Sequence, residues 1–329
     1  MLTDSFGRHH NYLRISLTEQ CNLRCTYCMP AEGVALTPKA HLMTAHEIFT
    51  IAQKFVDAGV TKIRLTGGEP LIRKDAQDIL EKLATLNVEL AITTNAVITD
   101  RFIELFKKIG MNNINVSLDT LIPERFKSIT RRNYFQRVYD NIFKLVSEGF
   151  KVKLNCVLMK GINEDEIIDF IHLSKEHDIQ VRFIEFMPFD GNNWDRSKLV
   201  SFQEIMTYAE RTFSKEDILR INDRPNDTSK NYQIKNYKGS FAIISTVTNP
   251  FCDSCNRIRL TANGRIKNCL FSSSETDLLT ALRKNEPIEP LIAQAIKAKF
   301  KMRGGMDTPE KFQDPSQYGK NRSMITIGG

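Results

Sequence analysis

Short apolar runs alternate with amphipathic segments along the first part of the chain. Six runs rich in aliphatic and β-branched residues predict strands, at residues 13–17, 61–65, 88–93, 113–118, 151–158 and 180–186. Between them, apolar residues recur at helical spacing, for example at Ile48, Ile51, Ala52 and Phe55. This alternation predicts a parallel sheet whose strands are joined by right-handed helical crossovers.

Capping residues mark the ends of several predicted helices. Thr44 with Glu47, and Asn163 with Glu166, have the spacing of an N-terminal capping box. Gly149 follows an amphipathic run and is expected to terminate that helix. The glycine-rich and polar motifs follow the predicted strands, so a functional site is expected at the C-terminal edge of the sheet.

The pattern changes after about residue 190. Residues 223–232 are polar and include Pro225, which predicts a loop, and the next apolar run predicts another strand. We therefore divide the chain into a core at residues 1–190 and a C-terminal extension at residues 191–329.

A β-hairpin is predicted within the extension. Asn263-Gly264 separates two strand-like runs, at residues 257–261 and 265–268, and Asn-Gly is typical of a two-residue hairpin turn. Such a hairpin would bring Cys269 back towards Cys255.

Composition and charge narrow the classes of function. The chain has 329 residues, 41% of them hydrophobic, as in ordinary globular proteins. No apolar run approaches the ~18–20 residues that span a bilayer, and the N-terminus lacks an apolar signal segment, so a cytoplasmic protein without membrane contact is expected. The net charge of +7 suits an anionic partner, but the basic residues are spread among 39 acids, which argues against nucleic acid.

Six of the seven cysteines form two triplets. They are Cys21, Cys25 and Cys28, and then Cys252, Cys255 and Cys269. The seventh, Cys156, lies in an apolar run and is expected to be a buried structural thiol. A tetrahedral zinc ion or an iron–sulfur cubane takes four ligands, so three thiols leave one position open for a substrate or cofactor.

The nature of the bound metal follows from the ligand type. Clustered thiolates select zinc, copper(I) or iron–sulfur clusters, and the first triplet has no neighbouring histidine to complete a zinc site. Disulfides fit poorly because the chain shows no secretory signal. For the second triplet an iron–sulfur cluster is favoured and structural zinc is the alternative, although no histidine follows His177.

Two motifs resemble those of the radical S-adenosylmethionine (SAM) enzymes. Residues 21–30 resemble the cluster motif of that superfamily, and residues 65–71 resemble its glycine-rich SAM-binding segment. The second triplet, residues 257–259 and the terminal Gly-Gly pair narrow the resemblance to the GTP 3′,8-cyclase family of molybdenum cofactor biosynthesis, over nearly the whole chain. The resemblance implies an α/β fold: a partial (βα)6 TIM-like barrel with a C-terminal α+β extension that carries a second cluster.

The resemblance also implies the chemistry. Two [4Fe–4S] clusters and SAM would be the cofactors, and GTP the substrate of a radical SAM lyase. SAM would be cleaved to methionine and 5′-deoxyadenosine while GTP becomes (8S)-3′,8-cyclo-7,8-dihydroguanosine 5′-triphosphate. The implied partners are an unidentified electron donor and cyclic pyranopterin monophosphate synthase as the next pathway enzyme, and a homodimer is compatible with the resemblance.

Site residues are carried over from the family position by position. The resemblance assigns Cys21, Cys25 and Cys28 to the SAM-binding cluster; Tyr27, Gly68, Ser117 and Met187 to SAM; Arg14, Arg64, Thr94, Lys153, Arg257, Ile258 and Arg259 to GTP; Cys252, Cys255 and Cys269 to the substrate-binding cluster; and Gly328 and Gly329 to catalysis. Arginine suits a triphosphate because its guanidinium offers paired donors. The glycine tail is expected to reach into the active site because it carries no side chain.

The sequence departs from the family pattern at two places, and two other functions are alternatives. Ala96 stands where the family pattern has glycine, and residues 297–305 lack an expected histidine, so that stretch receives no role. The first alternative is another radical SAM enzyme with an auxiliary cluster, such as a peptide maturase, although such enzymes tend to carry more C-terminal cysteines. The second alternative is a zinc protein that binds nucleic acid.

Overall fold

Strands from both halves of the chain join in one mixed sheet. The computed structural model describes residues 1–30, 32–314, 316 and 321–328. The strands of these ranges are β1 (Tyr12–Ser16), β2 (Lys62–Thr66), β3 (Glu89–Thr94), β4 (Asn113–Ser117), β5 (Lys151–Leu158), β6 (Ile179–Glu185), β7 (Ile218–Ile221), β8 (Lys230–Ile234), β9 (Ser240–Ile244), β10 (Arg257–Leu260), β11 (Arg265–Lys267) and β12 (Thr276–Asp277). Their order in the sheet is β12-β11-β10-β1-β2-β3-β4-β5-β6-β9-β8-β7.

Helices connect the first six strands, as the alternating pattern predicts. The helices are α1 (Ala45–Asp57), α2 (Ala76–Ala84), α3 (Ile103–Lys108), α4 (Pro123–Thr130), α5 (Phe135–Ser147), α6 (Ile167–Glu176), α7 (Phe202–Thr212), α8 (Leu279–Arg283), α9 (Glu289–Lys297), α10 (Pro309–Gln313) and α11 (Met324–Ile327). None of the helices in the described ranges has the length and apolar character needed to cross a membrane.

The C-terminal part of the chain extends the barrel sheet at both edges. Strands β1 to β6 are parallel neighbours, which confirms the predicted partial (βα)6 barrel. β10 then pairs in parallel with β1, and β9 pairs in parallel with β6. Antiparallel strands follow outside each of them. The extension is therefore continuous with the barrel sheet, and its division from the core at about residue 190 stays a prediction.

The predicted helix caps are confirmed at two positions and wrong at a third. Thr44 and Glu47 form the capping box at the start of α1, and Gly149 takes a positive φ of 84° just after α5. Asn163 and Glu166 form no capping box. Their side chains instead bind hydroxyl and main-chain groups of neighbouring elements, which fixes the loop that follows β4.

The structure tests two predictions for the C-terminal extension, a loop and a hairpin turn. The loop predicted at residues 223–232 is too long, because its last residues belong to β8, where Tyr232 stacks on Phe241 with ring centroids 5.3 Å apart. A cross-strand aromatic pair here outweighs the polar composition. The Asn263-Gly264 turn is confirmed: β10 and β11 are antiparallel, and Gly264 has a φ of 68°.

The apolar core and the polar interior lie on opposite faces of the barrel sheet. Along β5 and β6, buried side chains alternate strictly with partly exposed ones. The buried set joins the helices in one large apolar core. The other face carries polar side chains such as Asn155 and Arg182, which line a cavity inside the barrel.

A buried carboxylate anchors the N-terminal residues. Asp4 is 2% exposed and accepts hydrogen bonds from the main chain of Phe6 and Arg8, from the Arg8 guanidinium and from His10 Nε2. Burial opposes ionisation, but these bonds outweigh it and lower the pKa of Asp4 to about 2. Burial, aided by Lys299, lowers the pKa of His10 to about 4, so the ring is neutral at pH 7.

The free energy of unfolding is expected to fall as the pH drops from 6.5 to about 4, because the unfolded chain then binds a proton at His10 that the folded chain does not. His10→Gln keeps a neutral donor for Asp4 and removes this titration. Between pH 7 and pH 5 the native chain should lose about 2 kcal/mol more than the variant in urea unfolding. Equal losses in the two proteins would contradict the prediction.

Candidate active site

A cavity of about 180 Å³ at the C-terminal ends of the barrel strands contains the first cysteine triplet. Cys21, Cys25 and Cys28 line it. The four residues predicted to contact SAM also line it, namely Tyr27, Gly68, Ser117 and Met187. The fold thus brings residues from several strand ends to one place.

The surroundings of the first triplet disfavour charged thiolates in the absence of metal. Burial, aided by Glu69, raises the pKa of Cys21 to about 11. Burial also raises the pKa values of Cys25 and Cys28 above their usual range. Because the thiolate is the form that binds metal, loading of this site must release protons, and the metal supplies the missing positive charge.

Two buried carboxyl groups had no role in the sequence prediction: Asp119 lines this cavity, and Glu69 binds the lining residues Thr94 and Asn95 from behind. Glu69 is 0% exposed and accepts from the Thr94 hydroxyl and from two main-chain N–H groups. Asp119 accepts from Tyr27 Oη at 2.8 Å. Burial raises the pKa of Glu69 to about 7 and that of Asp119 to about 6. Thr94, which was predicted to bind GTP, lines the first cavity. A functional role for Glu69 could have been predicted from its position next to Gly67-Gly68 in the glycine-rich motif.

The backbone explains two of the small residues near this cavity. A side chain at Gly68 would place its Cβ 2.3 Å from Gln20 O and 3.1 Å from Cys21 Cβ, so glycine lets the end of β2 pack against the cysteine turn. Ala96 is fully buried and takes a φ of 60°. The loop therefore keeps the left-handed conformation that glycine adopts easily, at a cost of about 1 kcal/mol for alanine.

A second cavity, of about 190 Å³, contains the second cysteine triplet. Cys252 begins a single 3-10 turn, and Cys255 follows it directly. Cys269 comes just after the hairpin and lines the same cavity, as predicted. Burial opposes ionisation of Cys255, but Arg257 and Lys299 outweigh it and lower its pKa to about 6. The second triplet thus lies among cations, whereas the first lies beside carboxyl groups.

Several cationic side chains line the second cavity. Of the residues predicted for GTP, Arg14, Arg257 and Arg259 line it, and Arg14 stands opposite Arg259 in the pairing of β1 with β10. The sequence reading missed three further cations that line it, Arg182, Lys299 and Arg303. The signal for Arg182 was its place on β6, where it alternates with buried apolar residues and so faces the interior.

Several buried polar atoms of this cavity lack a hydrogen-bond partner within the described part of the chain. They are Nε of Arg14, Arg182 and Arg303 and Oδ1 of Asn115 and Asn268. Buried polar groups are normally paired, so their convergence on one cavity indicates a polar ligand. Burial, aided by neighbouring arginines, lowers the pKa values of Arg182 and Arg259 to about 9. An anionic ligand would relieve this repulsion.

Three residues predicted for GTP line neither cavity, and Thr94 lines only the first. Arg64 donates to Ile92 O inside the barrel and lines neither of the two cavities. Lys153 lies on β5, and burial together with Arg182 lowers its pKa to about 8. Ile258 is 0% exposed and packs in the apolar core, so only its main chain is available to a ligand.

The two cavities meet inside the barrel, and the C-terminal tail lies where they meet. Both are lined by Thr93, Asn155, Ile184, Met187 and Met324. After α11, Gly328 O accepts a hydrogen bond of 2.8 Å from Arg259 Nη1. Gly329, the other predicted catalytic residue, lies outside the described residues.

The donor sets fit a polynuclear group. The thiols of each triplet are distributed around a cavity, and each iron of a cubane takes one thiolate. Three thiols therefore fit a [4Fe–4S] cluster with one iron left for an external ligand.

Comparison with known proteins identifies the family. The profile of the Radical SAM superfamily matches residues 15–174, and that of Molybdenum Cofactor Synthesis C matches residues 179–304. The GTP 3′,8-cyclase of Listeria monocytogenes is 40% identical to this chain, over 100% of this chain and 99% of its own. The chain belongs to the GTP 3′,8-cyclase family.

Other relatives support the GTP 3′,8-cyclase family and its fold. The mitochondrial GTP 3′,8-cyclase of Arabidopsis thaliana is 47% identical over 100% of this chain and 84% of its own. Molybdenum cofactor biosynthesis protein 1 of Homo sapiens is 44% identical, and this chain spans 51% of its length. Streptococcus suis SuiB, whose crystal structure was solved bound to S-adenosylmethionine, has a TM-score of 0.63 at 16% identity over 97% of this chain and 77% of SuiB, which shows the fold alone.

Proposed function

We propose that this chain is a radical SAM GTP 3′,8-cyclase that catalyses the first step of molybdenum cofactor biosynthesis. The reaction converts GTP to (8S)-3′,8-cyclo-7,8-dihydroguanosine 5′-triphosphate and cleaves SAM to methionine and 5′-deoxyadenosine. One observation carries the proposal beyond family membership. Arginines whose buried Nε atoms have no partner among the described residues line the cavity of the second cysteine triplet, and this cavity joins the one that contains the radical SAM motif.

The chain supplies binding and containment, while the bound groups supply the redox chemistry. Cys21, Cys25 and Cys28 would hold a [4Fe–4S] cluster, which would supply the electron for cleavage of SAM. Tyr27, Gly68, Ser117 and Met187 line the space for SAM. The apolar side chains at the junction, among them Ile184, keep water from the reacting atoms.

The cationic lining of the second cavity suits the triphosphate of GTP. Guanidinium groups of Arg14, Arg182 and Arg259 present donors that a phosphate can satisfy in pairs. Cys252, Cys255 and Cys269 would hold the auxiliary cluster, which would bind the guanine base. Contacts of GTP with Arg64, Thr94, Lys153, Arg257 and Ile258, and a catalytic role for the Gly328-Gly329 tail, complete the proposed assignments.

The remaining assignments rest on the family resemblance. They are an electron donor of unidentified nature, transfer of the product to cyclic pyranopterin monophosphate synthase, and a homodimer. A cytoplasmic location is supported by the free cysteines, which must stay reduced to hold iron. The Arabidopsis relative is by name mitochondrial.

Anaerobic reconstitution with iron counting, followed by a GTP assay, tests the function. About eight irons per chain are expected for two cubanes. With dithionite and SAM, the cyclised nucleotide should form together with 5′-deoxyadenosine when GTP is added. A peptide maturase, which the named relatives disfavour, would yield no cyclised nucleotide. Zinc without iron would contradict the assigned cofactors.

Replacing Arg182 by alanine should raise the KM for GTP by at least about 30-fold, because loss of a buried charged donor to phosphate costs 2 kcal/mol or more. The effect on kcat should be smaller, and iron content should not change. Arg211→Ala is the matched control, since Arg211 is exposed on α7 outside both cavities. Isothermal titration of GTP into both variants measures the difference, and equal affinities would contradict the assignment of the cavity to GTP.

A further inference from the structure

The N-terminal segment reaches the second cysteine site through one side chain. Arg8 Nη1 donates to Cys252 O at 2.8 Å and to Lys301 O at 2.7 Å. Its Nη2 donates to Phe300 O at 2.9 Å. One guanidinium thus joins the N-terminal segment, the Cys252–Cys255 turn and the segment after α9. The N-terminal segment and the cysteine turn are more than two hundred residues apart in the sequence.

Arg8 is held rigidly in this position. Its Nε donates to Asp4 Oδ2 at 2.6 Å, and its main-chain N–H donates to Asp4 Oδ1 at 3.0 Å. Arg8 is 9% exposed, and Asp4 is 2% exposed. Because both groups are buried and paired, the guanidinium has no low-energy alternative in water. The Asp4 network, which also includes His10, therefore orients Arg8 before any metal binds.

The carbonyl that Arg8 binds is also the one that closes the cysteine turn. Cys255 N donates to Cys252 O at 3.1 Å, so this oxygen accepts both the turn hydrogen bond and the guanidinium. The segment that Arg8 holds through Phe300 and Lys301 continues to Arg303, which lines the second cavity together with Cys252. Removal of Arg8 would leave three carbonyls without their charged donor and loosen the turn from both sides.

We propose that Arg8 is a positioning residue of the auxiliary cluster: it locks the Cys252–Cys255 turn against residues 300–301 and so fixes the spacing of the three thiols. The inference rests on the proposed function, because it concerns the cluster assigned to the second triplet. Arg8 lines neither of the two cavities; it acts through the main chain of Cys252. Arg8 does not line the cavity of the first triplet, which therefore serves as an internal reference.

Site-resolved iron binding tests the role of Arg8. After anaerobic reconstitution, Arg8→Ala should retain about four irons, in the SAM-binding cluster, against about eight in the native chain. It should still cleave SAM reductively without GTP and should lose cyclisation. Arg283→Ala is a matched control: Arg283 also binds a carboxylate, Glu47, and two carbonyls, yet it lies at α8 away from both triplets. This control should keep about eight irons.

Two milder variants decide the question if Arg8→Ala does not fold, as judged by circular dichroism. Arg8→Lys reaches fewer carbonyls, and Asp4→Asn weakens the hold on Arg8. Both should release auxiliary iron to a chelator about 10-fold faster than the native chain, with unchanged release from the SAM-binding cluster. Equal release from the two clusters, or native release in both variants, would overturn the inference.

The same experiment separates this inference from the proposed function. A native chain that takes up about eight irons but does not cyclise GTP would contradict the function, while the iron counts would still decide on Arg8. A native chain that cyclises GTP, together with an Arg8→Ala variant of full iron content and native rate, would overturn the role of Arg8 alone.

Discussion

Replacing Cys255 by serine is expected to abolish cyclisation of GTP and to leave reductive cleavage of SAM intact, whereas replacing Cys25 by serine should abolish both. The reason is the separation of the triplets into two cavities that share no cysteine. Mutation of a residue that only hydrogen-bonds a metal ligand typically lowers activity or metal affinity about 10- to 100-fold. Loss of a ligand itself should therefore lower the affected rate by at least about 100-fold. Chromatography of 5′-deoxyadenosine and of the cyclised nucleotide measures the two activities in one assay.

The seventh cysteine provides the control for these substitutions. Cys156 is 0% exposed and lines neither cavity. Cys156→Ala should lower stability slightly and leave both activities and the iron content unchanged. If Cys255→Ser still cyclised GTP at the native rate, the second triplet would not hold a group needed for the reaction, and the assignment of the auxiliary cluster would fail.

The second large effect is expected at the tail, where Gly328→Ala should reduce cyclisation about 100-fold, since displacement of a catalytic element by 1 Å has effects of that size. Gly328 has a φ of 87°, and a Cβ there would lie 2.7 Å from Thr66 Oγ1 and 2.8 Å from Ser16 Cβ. The side chain would push the tail from the strand ends and break the bond between Arg259 and Gly328 O. Both clusters and SAM binding should persist.

A second glycine distinguishes the clash from backbone strain. Gly110 has a φ of 67°, and a Cβ there would meet no atom within 4 Å. Gly110→Ala therefore imposes comparable strain without displacing anything, and it should cyclise GTP at the native rate. Iron content, SAM binding and product yield are measured for both variants. Native product yield from Gly328→Ala would remove the tail from the active site.

Much of the fold could be predicted from local patterns. Strand–helix alternation with one-sided apolar periodicity predicted the six βα units, and Thr44 and Asn263-Gly264 mark a cap and a hairpin that the structure confirms. These signals work because capping and turn chemistry act over three or four residues. The prediction failed at Asn163, because its side-chain amide donates to the carbonyl oxygens of Asp119 and Val157 and does not cap a helix.

The sequence alone determined the chemistry that a few neighbouring residues carry: two incomplete thiolate sets, a glycine motif beside the first, and a soft-metal preference that follows from ligand type. Only the tertiary structure decided which cations meet at the second set. Arg182 and Arg303 join Arg14 there, while Arg64 turns to a carbonyl within the barrel. Spacing along a strand predicts the face of the sheet on which a side chain lies. Whether a charged side chain there is paired or lacks a partner depends on residues that only tertiary packing brings near. The same holds for Arg8, whose guanidinium binds the main chain of a cysteine turn that is distant in the sequence.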